Sequence, residues 1–201
     1  MLTHSLTYSQ TTAFSTSRLW LRPYDQEMAL PFWQLIHTNR DRLQADFPDR
    51  TSAVITLRDA EKRIRTLRYQ WNTGDMYSFG LWSKETGNYI GDITLRRMTP
   101  GKPFGEVGYY LSAEAEGSGF ATEALKGLVK FAFQELRMES VKLRCAQDNI
   151  KSQKVAERCG FTRSQTLTIA ISKNAEKEDR PIYTYCLRHN DTAARFLWNS
   201  V

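Results

Sequence analysis

The hydrophobic and polar positions of the chain change period several times. Arg18-Leu-Trp-Leu-Arg22 alternates polar and apolar residues, which predicts a half-buried strand stopped by Pro23. Asp25 can cap a helix carrying Met28, Leu30, Phe32, Leu35 and Ile36, and a short second helix, around Asn39 to Asp46, is expected to end before Pro48. Thr56 with Asp59 three residues on opens a longer helix with Ala60, Ile64, Leu67 and Trp71 on one face, closed by Gly74. The period then falls to two. Met76 to Trp82 and Tyr89 to Arg97 read as strands about a turn containing Gly87, and Pro100 to Pro103 turns the chain into a third strand, Glu106 to Leu111.

The strongest helical repeat follows, with Ala121, Ala124, Leu125, Leu128, Ala132 and Leu136 on one stripe. Then come a strand at Val141 to Ala146, a helix from Lys151 to Arg158 ended by Gly160, and two strands, Phe161 to Ile171 and Pro181 to Leu187. The Ser172 to Arg180 segment between them reads as a polar loop, either a solvated hairpin tip or the edge of a substrate groove. The order predicts an α/β chain with a mixed sheet and a central βαβ unit. Residues 1–15 read as an arm or extra edge strand, 16–190 as one domain, and 191–201 as a tail.

Composition narrows the class. With 41% hydrophobic and 25% charged residues in 201, the chain is globular and large enough to fold without metal or disulfide. No apolar run approaches a membrane span, and the polar N-terminus lacks the features of a signal peptide. Cys145, Cys159 and Cys186 are widely spaced, and with only His4, His37 and His189 beside them no metal site is readable. A reduced, cytoplasmic protein is expected. Cys145 and Cys159 read as core residues, His37 as surface or packing, and Trp20, Trp33, Trp71 and Trp82 as mostly core. The net charge is +6, and residues 126–163 alone carry nine basic and four acidic side chains. A concentrated positive tract suits a phosphorylated small molecule or nucleic acid, the bland alternative being an unevenly charged surface.

Glu116-Gly-Ser-Gly-Phe-Ala-Thr122 stands at the entrance to the strongest helix. A helix start leaves backbone N–H groups unpaired at the positive end of the dipole, and glycines let an anion approach them closely. The stretch lacks the Gly-Lys-Ser/Thr of a Walker loop. It has Thr122 where GxGxxG needs its third glycine, and Glu116 and Phe120 flank Ser118 where GxSxG needs glycines. By itself it reads equally as a flexible connection.

About thirty residues on, Asn149-Ile-Lys-Ser152-Gln-Lys154 opens a short helix that ends at Gly160-Phe161. Together with Tyr109-Tyr110-Leu111, the glycine loop with Thr122-Glu123-Ala124, and Thr16-Ser17-Arg18-Leu19-Trp-Leu21-Arg22-Pro23, this segment resembles the GNAT acetyltransferase superfamily. It is most similar to the ribosomal-protein N-terminal acetyltransferase (RimJ/RimL-type) branch, over residues 16 to 187. The resemblance implies a GNAT fold: a mixed, mostly antiparallel sheet with helices on both faces and an acetyl-CoA slot between splayed strands Glu106–Leu111 and Val141–Ala146. It implies pyrophosphate held at Glu116, Gly117, Ser118, Gly119, Phe120, Ala121 and Thr122. Glu116 is a departure, since the branch usually has Gln or Arg there, and a carboxylate at that place should weaken the cofactor's hold. Asn149 would bond the pantetheine arm and Lys154 would stand near a CoA phosphate. Leu111 would line the slot, with an oxyanion site expected near Leu111–Ser112.

For catalysis, Glu106 is the candidate base, and pairing with an Arg across the sheet is its alternative role. Ser152 is the candidate acid by family analogy, and a helix cap is its alternative role. The implied reaction is acetyl transfer from acetyl-CoA to a primary amine, first the N-terminus of a protein. A small amine (polyamine, amino acid, aminoglycoside-like) is the second acceptor class, and a non-catalytic acyl-CoA or RNA-binding module is the third reading. No metal, no membrane and no nucleic-acid partner are expected, and a homodimer stays open.

Overall fold

A computed structural model describes residues 13–99, 101–173 and 176–191, with side chains of 167–180 left aside. The arm before residue 13 and the tail after residue 191 lie outside the described residues. Eight strands form one sheet: β1 (Phe14–Ser15), β2 (Leu19–Pro23), β3 (Met76–Ser83), β4 (Tyr89–Arg97), β5 (Phe104–Leu111), β6 (Ser140–Ala146), β7 (Thr162–Lys173) and β8 (Glu176–Arg188). Their order is β1-β2-β3-β4-β5-β6-β8-β7, and every neighbouring pair is antiparallel except β5 with β6. Between β2 and β3 run four helices, α1 (Ala29–Thr38), α2 (Arg40–Gln44), α3 (Pro48–Ala53) and α4 (Leu57–Thr73); α5 (Phe120–Gln134) crosses from β5 to β6, and α6 (Ile150–Arg158) links β6 to β7.

The helices divide between the two faces because the strands are apolar on both. Ile93 and Leu95 of β4 and Val107 of β5 join Leu125, Leu128, Val129 and Ala132 of α5 in one core. Phe32, Leu35 and Ile36 of α1 pack with Ile64 and Leu67 of α4, Met76 and Tyr110 in another. The cross-strand partners Arg96–Glu106, Thr94–Gly108 and Asp92–Tyr110 alternate with these apolar residues. By the period-two rule they share one face, a polar strip within an apolar sheet.

Local signals held where they were chemical. Thr56 and Asp59 form a reciprocal capping box on α4, and Gly74 closes that helix in the left-handed region at φ 74°. The short α2 ends before Pro48 as expected, and Pro48 then opens a further helix, α3, since proline is tolerated in a helix's first turn, where its missing N–H has no partner to lose. Two expectations change. Trp20 is not core: it is 42% exposed, with Lys84 Nζ 4.8 Å from its ring centre. The polar Ser172 to Arg180 segment is largely strand, with backbone pairing carried out to Lys173 and Glu176.

Candidate active site

The site begins with a strand pair that parts. Register between β5 and β6 runs from Phe104↔Ser140 to Val107↔Leu143 and stops, although β5 stays paired to β4 as far as Leu111 and β6 to β8 as far as Ala146. From Gly108 onward the edge of β5 toward β6 therefore has no strand partner. A cavity of about 780 Å³ opens there, lined by Tyr109, Leu111, the glycine loop and the start of α6.

Its floor is the N-terminus of α5. Gly117 and Gly119 sit at φ 78° and 83°, a region costly for any residue with a Cβ. Gly119 is the N-cap and no side chain caps the helix, so the first-turn amides keep their hydrogen-bonding capacity where Gly119, Phe120, Ala121 and Thr122 line the cavity. Arg18 fixes the loop from outside. Its Nε donates to Glu123 Oε2 at 2.7 Å, its Nη1 to the Ser118 carbonyl at 2.9 Å, and its guanidinium lies 4.5 Å from the Phe120 ring centre. Glu123 also accepts from Thr16 Oγ1 and the Arg18 amide, both at 2.6 Å. Burial pushes the Glu123 carboxyl up, but these hydrogen bonds and the Arg18 charge outweigh it and hold it below the ordinary glutamate value.

Glu116 lines the cavity with its charge already matched. Arg42 Nη1 donates to one carboxylate oxygen and Lys151 Nζ donates to the other at 2.6 Å. Arg42 Nη2 also donates to the Leu111 carbonyl and to Asn39 Oδ1. With Lys154 and Arg158 these cations rim the cavity. The chemistry of this lining, backbone N–H groups under a cationic edge, suits a pyrophosphate.

At the opposite wall Asn149 is the N-cap of α6, accepting from the Ser152 amide at 3.0 Å and donating to Asp46 Oδ2 at 2.8 Å. The cap is thus Asn149, and the Ser152 hydroxyl is left to accept from Tyr109 Oη at 3.4 Å. Burial raises the Tyr109 phenol well above its ordinary value, the hydrogen bond to Ser152 only partly opposing it, so it keeps its proton at neutral pH.

Glu106 lies elsewhere. It accepts from Arg144 Nη2 at 2.8 Å and faces Arg96 Nη2 at 3.5 Å, so the cross-sheet arginine pairing is what the structure shows. Glu106 lines a second cavity of about 440 Å³ instead of the first, and the two share Asp46 and Phe47. Beside it, Arg50 pairs with buried Asp92 at 2.9 Å, and its guanidinium lies 4.9 Å from the Tyr110 ring centre.

Of the predicted site residues, Leu111, Glu116, Gly117, Gly119, Phe120, Ala121, Thr122, Asn149, Ser152 and Lys154 meet around the larger cavity. Ser118 is outside that lining and turns its carbonyl to Arg18, and Glu106 is on the smaller cavity. The oxyanion expectation fails at Ser112, whose amide donates to the Ile90 carbonyl at 2.8 Å. Phe47 lines both cavities, whereas Trp33 stacks on exposed His37 and donates to the Ile55 carbonyl. Cys145 and Cys159 are buried, burial pushing their thiols up to about 11 and about 12, which leaves them inert. Arg42, Lys151 and Tyr109 were missed as site residues. Tyr109 sits in the strand pattern that marked the site, but Arg42 meets Glu116 from 74 residues away, with no local signal. Among the described residues no group of three or more His, Cys, Asp or Glu could hold a metal, and no helix is long and apolar enough to cross a membrane.

Known proteins share this architecture. The family model "Acetyltransferase (GNAT) domain" matches residues 18–162. The probable N-acetyltransferase YjcK of Bacillus subtilis is 25% identical over 165 residues, 82% of this chain and 91% of that protein. The ribosomal-protein-serine acetyltransferase of Escherichia coli is 27% identical over 153 residues, 76% of this chain and 84% of its own length. The crystallised ribosomal-protein-S5-alanine acetyltransferase of Vibrio fischeri superposes with a TM-score of 0.79 at 21% identity, covering 90% of this chain and 98% of that one. With a parted β5–β6 pair, a glycine loop at α5 and a family match over most of its length, the chain belongs to the GNAT acetyltransferase family.

Proposed function

We propose that this acetyltransferase uses acetyl-CoA and acetylates a primary amine, in the first instance the N-terminal amine of a protein. The observation that carries the reading is the parting of β5 from β6. It sets an amide-floored, cation-rimmed cavity beside a smaller one bearing a carboxylate, the two meeting at Asp46 and Phe47. The E. coli relative, named for a ribosomal-protein serine, supports the choice of acceptor.

In this reading the amides of Phe120, Ala121 and Thr122 hold the pyrophosphate, with Gly117 and Gly119 giving the loop its close approach. Lys154 and the Arg42–Glu116–Lys151 bridge edge the phosphates, and Asn149 retains one amide hydrogen for the pantetheine arm beyond its bond to Asp46. Bound acetyl-CoA supplies the thioester. An α-amino group with a pKa of about 7.7–8.0 needs light assistance to become neutral, and Glu106 accepts its surplus proton through water. As the C–N bond forms and the C–S bond breaks, the Ser152 hydroxyl gives its proton to the departing thiolate and takes one from Tyr109 Oη, which is reprotonated from solvent as the products leave. The buried, free cysteines fit a reducing cytoplasm.

A small-molecule amine is the second reading, favoured by the modest 440 Å³ of the cavity on the Glu106 side. Mass spectrometry of N-terminal peptides and small amines incubated with acetyl-CoA separates the two. One acetyl group on the α-amine of peptides is expected. Tyr109→Phe is expected to lower kcat about 100-fold or more with KM for acetyl-CoA nearly unchanged. Binding of acetyl-CoA with no amine acetylated, or an unaltered kcat in the variant, would contradict this assignment.

A further inference from the structure

The smaller cavity holds a charge the reaction above does not use. Three arginines line it, and two are engaged: Arg50 with Asp92 at 2.9 Å, Arg96 with Glu106 at 3.5 Å. Arg63, on α4 one residue before buried Ile64, is half-buried and makes no ion pair or hydrogen bond to the described residues. Burial and then the neighbouring Arg50 charge hold its guanidinium below its ordinary pKa, and the attraction of Asp92, whose carboxylate is bonded to Arg50 and Tyr24, offsets them only in part. Two further carboxylates line the cavity, but they belong to exposed residues: Asp46 accepts from Asn149, and Asp49 stands in the first turn of α3, where the helix dipole favours it. A partly desolvated guanidinium with unused forked donors, opening on a cavity, is matched by a planar anion.

We propose that Arg63 is an acceptor-binding residue and that the amine this protein acetylates carries a carboxylate a few bonds from the reacting nitrogen. This rests on the acetyl-transfer reading and deepens it. Glu106 and Arg63 line one cavity and offer such an acceptor its two ends. Glu106 on β5 takes the amine end next to the β5–β6 gap, and Arg63 on α4 takes the anionic end across the same cavity. The carboxylate has two sources, the α-carboxylate of a free amino acid or an acidic side chain at the second position of a peptide.

The test is calorimetric titration of CoA-saturated protein with two matched pairs: L-alanine against L-alaninamide, and a Ser-Glu-Ala-Ala amide peptide against its Ser-Gln counterpart. In the wild type the acid member of one pair is expected to bind about 10- to 100-fold more tightly than its amide, and which pair does so identifies the source. Arg63→Gln should erase that preference while CoA affinity is retained, since Arg63 does not line the larger cavity. Arg63→Lys should keep part of the preference, so loss of fold in one variant leaves the other informative. Equal binding of acid and amide, survival of the preference in Arg63→Gln, or no binding by any of the four would overturn the proposal. Mass spectrometry of the same four amines after incubation with acetyl-CoA reads transfer separately: acid-selective binding without acetyl transfer to any member would overturn the transferase reading, and transfer without acid preference would overturn the anion site alone.

Discussion

Glu116 illustrates how a single side chain can mislead until its neighbours are known. As a carboxylate beside a phosphate-type loop it should repel a pyrophosphate, yet Arg42 and Lys151 hold its two oxygens. The rim therefore stays cationic, but part of that charge is committed to Glu116. Replacing Glu116 with Gln releases both cations, and the affinity for CoA is expected to rise severalfold at low salt, with the gain shrinking as salt is added. Unchanged affinity would mean that the bridge does not face the phosphates. The residue scale is also where the sequence was least legible. The ion pairs Arg42–Glu116 and Arg18–Glu123 join positions 74 and 105 apart, and the Arg144–Glu106 pair needs the β5–β6 register to be known. No local pattern encodes such meetings.

At the scale of elements, legibility followed capping and periodicity. The α4 helix was readable at both ends because Thr56, Asp59 and Gly74 are chemical stop signs, and α5 because Leu125, Leu128 and Ala132 repeat on one stripe. The short α3 was not, because Pro48 reads as a terminator as readily as an initiator. The first turn of α5 is tied to the strand side through Glu123, which binds Thr16 and Arg18. A carboxyl held below its ordinary value stabilises the fold above that value and loses the contribution as the pH falls through the folded-state value. Glu123→Gln should thus destabilise the protein by about 1 kcal/mol at neutral pH, allowing for the exposure of Arg18, and the deficit should narrow in acid. Denaturant melts of both proteins from neutral to acid pH check this; a deficit constant with pH would exclude the carboxylate charge as its source. Thr56→Ala, which removes the α4 cap at a position outside the lining of the larger cavity, should cost about 1 kcal/mol and leave CoA binding unaltered, as melts and titration would show.

The whole molecule is a sheet with a different chemistry on each side of one parting. The core under α5 and the core between α1 and α4 hold the two faces, and the polar strip of Asp92, Thr94, Tyr110 and Glu106 borders the second. Hydrophobic alternation foretold the sheet, and the loop and helix motifs marked residues that line the larger cavity. The division between the two cavities was not readable, since it depends on which face each residue of β5 presents once β6 parts from it.

That parting and the α5 loop together make the central claim, which calorimetric titration with acetyl-CoA tests most directly. The wild type is expected to bind one acetyl-CoA per chain with micromolar affinity, and Gly119→Glu, with its melting transition intact, is expected to lose that binding, because a residue with a Cβ is strained at φ 83°, so the loop must shift, and the new carboxylate adds negative charge beside the first-turn amides. No binding by the wild type, or equal binding by the folded variant, would contradict the account.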